Sequence, residues 1–362
     1  LQELEIKGGA TDNRKPASIT TLDPKDVQML PSAFNEFNKV LSTLPGVISN
    51  NELSASYAVR GGNFDENLVY VNDIPIYRPF LVSGGQQEGL SFVNPDLVSN
   101  ISFSAGGWQA KYGDKLSSVL DIEYRRPIDF RASLDAGFLG INAAAEGVSK
   151  NRKLSALGGI RYRDNSLLVK ARETETNFEP VFADAQLQLI YAATPNLEIS
   201  FLGNAALNDY RYQPLTRQTN FGTLQDPMAL MVHYSGREKD LYQSLFGAVK
   251  ASYMASENYT AHLTASAYNS REQEYYDIVA QYRLGKVNME VGGKDFGKVE
   301  FAEGIGAQLN HARNKLNAVF INIEHTGQLK INSNYFNYGI KYTQEEIKDR
   351  IREYEIIDSL GF

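Results

Sequence analysis

Tyr210, Arg211 and Tyr212 stand together in a polar stretch, with Asp226 and Asp240 further along, and such a mix of aromatic faces, charge and hydrogen-bonding groups can grip a ligand. A second reading, in which the acids only solvate a connection, stays open beside it. The four histidines, His233, His262, His311 and His325, form no HExxH pattern and no close set, and the chain has no cysteine, so neither a protein metal site nor a thiol site is expected. Glycine pairs at Gly61-Gly62, Gly84-Gly85, Gly106-Gly107, Gly158-Gly159 and Gly292-Gly293 never fall into a GxxxxGK or dinucleotide fingerprint, which leaves nucleotide binding without support. No nucleophile stands beside a base in a recognisable arrangement, and no cofactor is expected. A carbohydrate-active enzyme of β type would need two carboxylates at a fixed separation, and nothing in the sequence favours one.

Those side chains have to be positioned by short strands and tight turns. Within residues 59–123, Leu68, Val69, Tyr70 and Val71 form an apolar strand that ends at an Asn72-Asp73 turn and resumes at Ile74 and Ile76. Ile101 and Phe103 alternate with Ser102 and Ser104, which predicts a strand with one buried face, and residues 118–124 alternate again. Upstream, residues 17–22 read as a strand. Asp23-Pro24 caps a helix carried by Phe34, Phe37, Val40, Leu41 and Leu44 and stopped by Pro45-Gly46.

With 362 residues the chain is long enough for more than one domain. A formal net charge of -7 and the lack of a basic block exclude nucleic acid as a partner. Tyr 21 and Phe 18 against a single Trp is a profile common in β proteins. No apolar run reaches the roughly 20 residues of a membrane helix. A transmembrane barrel stays open, because each of its strands carries only an alternation over about ten residues. The chain starts without a charged and apolar leader, so a signal peptide is expected to have been removed or to lie outside it.

Pro45-Gly46-Val47, Val59-Arg60-Gly61-Gly62, Asp65-Glu66-Asn67 leading into Val69-Tyr70-Val71-Asn72-Asp73-Ile74-Pro75, then Phe92-Val93-Asn94-Pro95, Tyr112-Gly113 and the run 116–122 follow one another in a specific order. Together they resemble the plug domain of TonB-dependent outer-membrane receptors, in a Bacteroidetes-like form. The resemblance implies an α+β plug domain over residues 1–127 and antiparallel transmembrane β-barrel strands over 128–362, the N-terminal portion of a barrel of roughly 22 strands. It implies a non-enzymatic importer in the outer membrane of a Gram-negative bacterium, gated by its plug. The TonB energising complex and outer-membrane lipids would be partners, with a small-molecule, glycan or peptide substrate; whether a surface lipoprotein caps the receptor stays open. Leu4, Glu5, Ile6, Lys7 and Gly8 loosely match the box that TonB pairs with as an added strand. Arg60, Glu123 and Arg125 fall where plug and wall meet in the family, and a charge there must be paired or hydrated; Arg126 reads instead as part of a solvated cluster. Tyr77, Arg78 and Phe80 lie on the plug loop 76–89, which would close the floor of the ligand site. A surface adhesion or scaffold module that keeps a plug-like fold is the alternative.

Beyond Pro127 the alternation is sustained. Val181, Ala183, Ala185, Leu187, Leu189 and Tyr191 share a face opposite Asp184, Gln186 and Gln188; a turn at Thr194-Pro195-Asn196 leads to Leu197, Ile199, Phe201 and Gly203 opposite Glu198, Ser200 and Asn204. A second hairpin turns at Ser256-Glu257-Asn258, with Leu241, Leu245, Val249, Ala251, Tyr253, Tyr259, Ala261, Leu263, Ala265 and Ala267 on its apolar face. Apolar-out and polar-in suits a membrane barrel, while a soluble sandwich shows the same alternation. Short turns are expected on the periplasmic side, with 209–239 and 272–298 as extracellular loops. Further strands are expected at 130–148, 154–162, 299–309, 316–325 and 329–342, about eight to ten in all, with 344–352 a charged, helix-compatible tail.

Overall fold

The computed structural model describes residues 19–22, 38–49, 56–78, 91–113, 115–164, 166, 177–223, 225–290 and 292–359. Residues 4–8, Phe34, Phe37 and Phe80, all singled out in the sequence, lie outside them.

The first sheet forms where apolar residues recur without a polar face. Strands β1 (Ile19–Leu22), β2 (Val47–Ile48), β3 (Ala58–Val59), β4 (Asn67–Val71), β5 (Ile74–Pro75), β6 (Val98–Ser104) and β7 (Ser118–Tyr124) arise in that order, with one helical turn, α1 (Asn38–Leu41), before β2. Five of them make a mixed sheet ordered β1-β6-β7-β4-β5, and β2 pairs with β3 separately. All residues of β4 are buried, and it runs parallel to β7, as strands covered on both faces do. Asn72 and Asp73 make the β4–β5 turn with φ of 54° and 63°, a left-handed pair that short Asx side chains tolerate.

From Arg131 the chain becomes a second sheet of 11 strands. Strands β8 (Arg131–Gly137), β9 (Gly140–Val148), β10 (Leu154–Asp164), β11 (Phe178–Thr194), β12 (Leu197–Tyr212), β13 (Arg217–Gly222), β14 (Pro227–Ser256), β15 (Tyr259–Val287), β16 (Val299–Ile331), β17 (Asn334–Arg350) and β18 (Glu353–Asp358) form it. The path β17-β16-β15-β14-β12-β11-β10-β9-β8 is antiparallel throughout, with β13 on the outer end of β14 and β18 on β16.

Several sequence expectations are corrected here. The stretches 209–239 and 272–298 are largely strand, since β12, β14 and β15 run well past their apolar segments as paired ladders. Charged residues there hid the strands because alternation persists without hydrophobicity. The expected strand 329–342 is split by a two-residue turn at Asn332, φ 54°, and 344–350 continues β17 rather than coiling into a helix. The region 130–148 is a hairpin, and 299–325 lies within one strand.

The polarity of the second sheet is reversed relative to a soluble one. In β11, Asp184, Gln186 and Gln188 are 8%, 5% and 6% exposed, while Leu187 and Tyr191 on the other face are 41% and 44% exposed. The outward apolar positions run from Leu197 to Leu207 in β12, from Leu245 to Tyr253 in β14 and from Tyr259 to Ala267 in β15, close to the roughly 9–11 residues with which a tilted strand crosses a bilayer. Tyr191, Tyr253 and Tyr259 stand beside the short turns, where barrels place an aromatic girdle. No helix among the described residues is long and apolar enough to cross a membrane.

Candidate functional site

The buried polar face of the wall is buried by the first sheet. One apolar core runs through both: Val69, Val71, Ile101 and Ile122 from the first sheet join Leu157, Leu202, Phe246 and Phe320 from the wall. Around it, β9, β10, β11, β12, β14, β15 and β16 each reach the enclosed domain with a polar side chain, so the wall curls round it.

Arg161 on β10 and Asp184 on β11 form a two-pronged pair, Nε to Oδ1 at 2.8 Å and Nη2 to Oδ2 at 2.6 Å. The same guanidinium donates from Nη1 to the Val93 carbonyl at 2.9 Å and from Nη2 to the Ser91 carbonyl at 2.7 Å. Gln186 donates to the Phe92 carbonyl and accepts the Tyr124 hydroxyl at 2.6 Å. Three consecutive carbonyls of the enclosed domain are thus held by two wall strands. Burial pushes the Tyr124 hydroxyl well above its ordinary pKa, so it stays a donor.

Of the residues expected at this boundary, Arg125 donates from Nε to Glu146 Oε2 on β9 at 2.9 Å. Arg126, read as solvated, pairs with Glu198 on β12. Glu123 is exposed and hydrogen-bonds Asn100 on its own sheet. Arg60 also stays within its own domain, its side chain lying along Gly46 and Gly106. Lys250 on β14, which the sequence did not single out, donates to Asp73 Oδ2 at 2.6 Å.

Tyr77 and Arg78 contact the wall. The Tyr77 ring stacks on Phe320 of β16 at 4.7 Å and 17°, and its hydroxyl donates to Asn322 Oδ1 at 2.8 Å. Arg78 holds a left-handed backbone, φ 49°, and pairs with Glu272 on β15, Nη2 to Oε2 at 3.2 Å. A non-glycine residue in that conformation costs of order 1 kcal/mol, here offset by the ion pair. Among the described residues, a cleft lies between Arg78, Ser91 and Phe92 and the wall residues Asn204, Asn208 and Tyr242. Asn204 is 5% exposed, and its amide nitrogen has no partner among the described residues.

Tyr210, Arg211 and Tyr212 sit at the end of β12 rather than in a loop. Tyr210 and Tyr212 face inward, Phe178 stacking on Tyr212 at 4.6 Å, while Arg211 faces outward and pairs with Asp209 at 2.9 Å. Strand alternation therefore divides the three. Arg161, Asp184 and Gln186 carry more of the boundary than any arginine singled out in the sequence. Their signal was present as charges and amides on the polar face of otherwise apolar strands. Among the described residues no group of His, Asp and Glu is placed to hold a metal ion.

Residues 11–118 match the family model described as TonB-dependent Receptor Plug Domain. No curated protein matches the chain. Among solved structures it is similar to the siderophore receptor PirA from Pseudomonas aeruginosa, at 13% identity and a TM-score of 0.40 over 92% of this chain and 76% of that one. It is similar also to PirA from Acinetobacter baumannii, at 10% identity and a TM-score of 0.44 over 94% and 75% of the two chains. A third is P. aeruginosa FpvA bound to heterologous pyoverdines, at 10% identity and a TM-score of 0.45 over 97% and 72%. A plug domain inside a wall whose apolar face points outward defines a plug-gated receptor of the outer membrane. Residues 11–118 are thus a TonB-dependent receptor plug domain, and the antiparallel strands that follow enclose it as a barrel-like wall.

Proposed function

We propose that this receptor draws a small water-soluble cargo into the cleft between the Arg78 end of the plug loop and the wall. Force from TonB on the plug then opens the route inward. The observation that carries the reading is the plug's enclosure by a wall with buried amides and acids and an exposed apolar exterior. Asn204 supports cargo binding in the cleft, since its unpartnered buried amide is costly unless a ligand or water satisfies it. In this proposal Arg78 senses the cargo: a ligand group that competes with Glu272 frees a strained residue and loosens the plug loop. Tyr77 keeps the loop root on β16, and Tyr210 and Tyr212 line the approach. The plug extends to Pro127 and the barrel begins at Ile128. Residues 4–8 are proposed as the strand that TonB adds to, on the sequence match alone.

The chain contains no cysteine, so a single one can report plug movement in cells. Ser117→Cys places a thiol in the plug beside Glu66, 9% exposed. Labelling with a membrane-impermeant maleimide should rise in energised cells carrying TonB and stay low in cells lacking it. Equal labelling in both would overturn the proposal and favour a scaffold without transport.

A further inference from the structure

Past the apolar band, on the side away from the short turns, the wall strands carry charges of both signs, and strand alternation sorts them by face. Residues 237–240 read Arg-Glu-Lys-Asp and 271–274 read Arg-Glu-Gln-Glu. Asp240 and Glu272 are buried on the inner face, while Arg237, Lys239 and Arg271 are exposed on the outer one. The outer face continues across β16 and β17, where Lys315 stands directly opposite Arg350, and Lys239 stands opposite Arg211 of β12. Like charges placed so are destabilising unless an opposite charge lies between them. Among the described residues the chain supplies little of it. Asp209, Asp277 and Glu346 on this face are already held by Arg211, Arg313 and Lys348. Lys239, Arg271, Lys315 and Arg350 meet no carboxylate among the described residues.

The position of this basic face points to its counterpart. It adjoins the exposed outward residues Leu245 and Val249 of β14 and Ile321 and Ile323 of β16, which belong to the apolar band. Arg271 comes four residues after Ala267, about 10 Å above it on a tilted strand. From there a long basic side chain reaches the headgroup layer. At the other edge of the band the outward residues are Tyr253 of β14, Tyr259 of β15 and Leu329 of β16, and none is a base. We infer that Lys239, Arg271, Lys315 and Arg350 form a seat for the phosphate groups of a glycolipid in the outer leaflet, held against the wall from outside. Phosphate oxygens accept from several such donors at once, and guanidinium forks suit them. Tyr275 lies among these bases, with the Arg313 guanidinium 5.4 Å and the Lys315 ammonium 5.7 Å from its ring centre, which restrains both cations before a lipid arrives. The inference uses the wall's placement in a membrane and is independent of what the receptor carries.

The test is binding of diphosphorylated lipid A to the full receptor in detergent, read by native mass spectrometry against the same lipid with its phosphates removed. The wild type should hold the phosphorylated form at least about tenfold more tightly. Arg271→Gln and Lys315→Gln should each weaken that binding about fivefold, and the double variant about thirtyfold. Lys153→Gln, which removes an exposed base beside the short β9–β10 turn at the opposite edge, should leave the affinity within about twofold. Heat-modifiable electrophoretic mobility verifies that each variant is folded. Inorganic phosphate should not displace the lipid, because the acyl chains add contact along the apolar band. Displacement would identify a site for free phosphate and overturn the lipid assignment. Equal binding of the two lipid forms, or unchanged affinity in the double variant, would overturn the seat itself. Labelling at Ser117→Cys reads the transport proposal separately, so either can fail without the other.

Discussion

Arg161 and Asp184, on adjacent wall strands, form a pair whose side chains are 6% and 4% exposed, and the arginine spends its remaining donors on the plug carbonyls of Ser91 and Val93. The pair thus does more than neutralise itself. Asp184 fixes the plane of the guanidinium, and that plane presents two N–H groups at the separation of alternate backbone carbonyls. The plug is held to the wall by a few directional bonds over a shared apolar core.

Breaking one side of this pair should therefore loosen the plug more than removing both. Arg161→Met strands the Asp184 charge, and losing one partner of a buried pair costs about 3–5 kcal/mol. The double variant Arg161→Met with Asp184→Leu loses the plug contacts but leaves no orphaned charge. In cells, entry of a large antibiotic normally excluded by the outer membrane should rise most in the single variant and less in the double. Equal permeability in both would mean that the plug contacts, rather than charge pairing, dominate.

Gly159 on β10 tests how closely the wall approaches the plug. A Cβ there would lie 2.7 Å from Asn94 Nδ2 and 3.3 Å from Leu97 Cδ2. Asn94 is fully enclosed, and its Oδ1 already accepts the Asp96 N–H at 3.1 Å, so it has little freedom to retreat. Gly159→Ala should displace the segment around Asn94 and cost about 1–3 kcal/mol of overpacking. Limited proteolysis should then cut the plug at protease concentrations that leave the wild type intact, whereas Gly158→Ala, directed at the outer face, should behave like wild type.

Tyr77 separates a structural loop root from a ligand contact. Tyr77→Phe keeps the Phe320 stack and loses the Asn322 hydrogen bond, worth about 0.5–1.5 kcal/mol. Tyr77→Ala loses the stack as well, about 0.5–1.5 kcal/mol beyond the area buried. Plug stability should fall in that order in denaturant titrations. If cargo affinity fell by the same factor in both variants while stability held, Tyr77 would be a ligand residue instead.

Much of this architecture was legible because alternation is local. Leu187 between Gln186 and Gln188 specifies a two-faced strand whatever covers it, and Asn72-Asp73 specifies a hairpin turn. Which face is buried was not local. A soluble sandwich would bury Leu187 and expose Gln186, and only the plug resemblance reversed that choice. The candidate site was less legible for the same reason. Arg211 and Tyr212 are neighbours in sequence and opposites in space, while Arg161 and Ser91 meet only after the wall has closed on the plug. The strand extensions at 209–239 and 272–298 escaped notice because, beyond the bilayer, pairing no longer requires an apolar face.

The plug's own acids should give it a pH dependence that runs against ordinary acid denaturation. Burial raises the Asp121 carboxyl above its ordinary 3.8, with the Tyr112 hydroxyl bond opposing. Burial, then the Asp121 and Asp73 charges, raise Glu123 above 4.5. Such groups bind a proton more tightly folded than unfolded, so their contribution is fully present below the ordinary value and is lost as pH rises through the raised one. Asp73 has the opposite sign: burial works against its charged form, but Lys250 outweighs burial and lowers its pKa, so that contribution is present above 3.8 and lost as pH falls. Trp108, the single tryptophan, packs on the plug cluster of Leu68, Tyr70 and Val119 together with Tyr112, and its fluorescence reports plug unfolding directly. In urea titrations from pH 4 upward, the plug midpoint should fall with rising pH through the raised Asp121 and Glu123 range. Asp121→Asn should flatten that fall, and Asp73→Asn should steepen it by removing the opposing contribution. A midpoint that rises with pH in the wild type would show that the Asp73 to Lys250 pair outweighs Asp121 and Glu123 together.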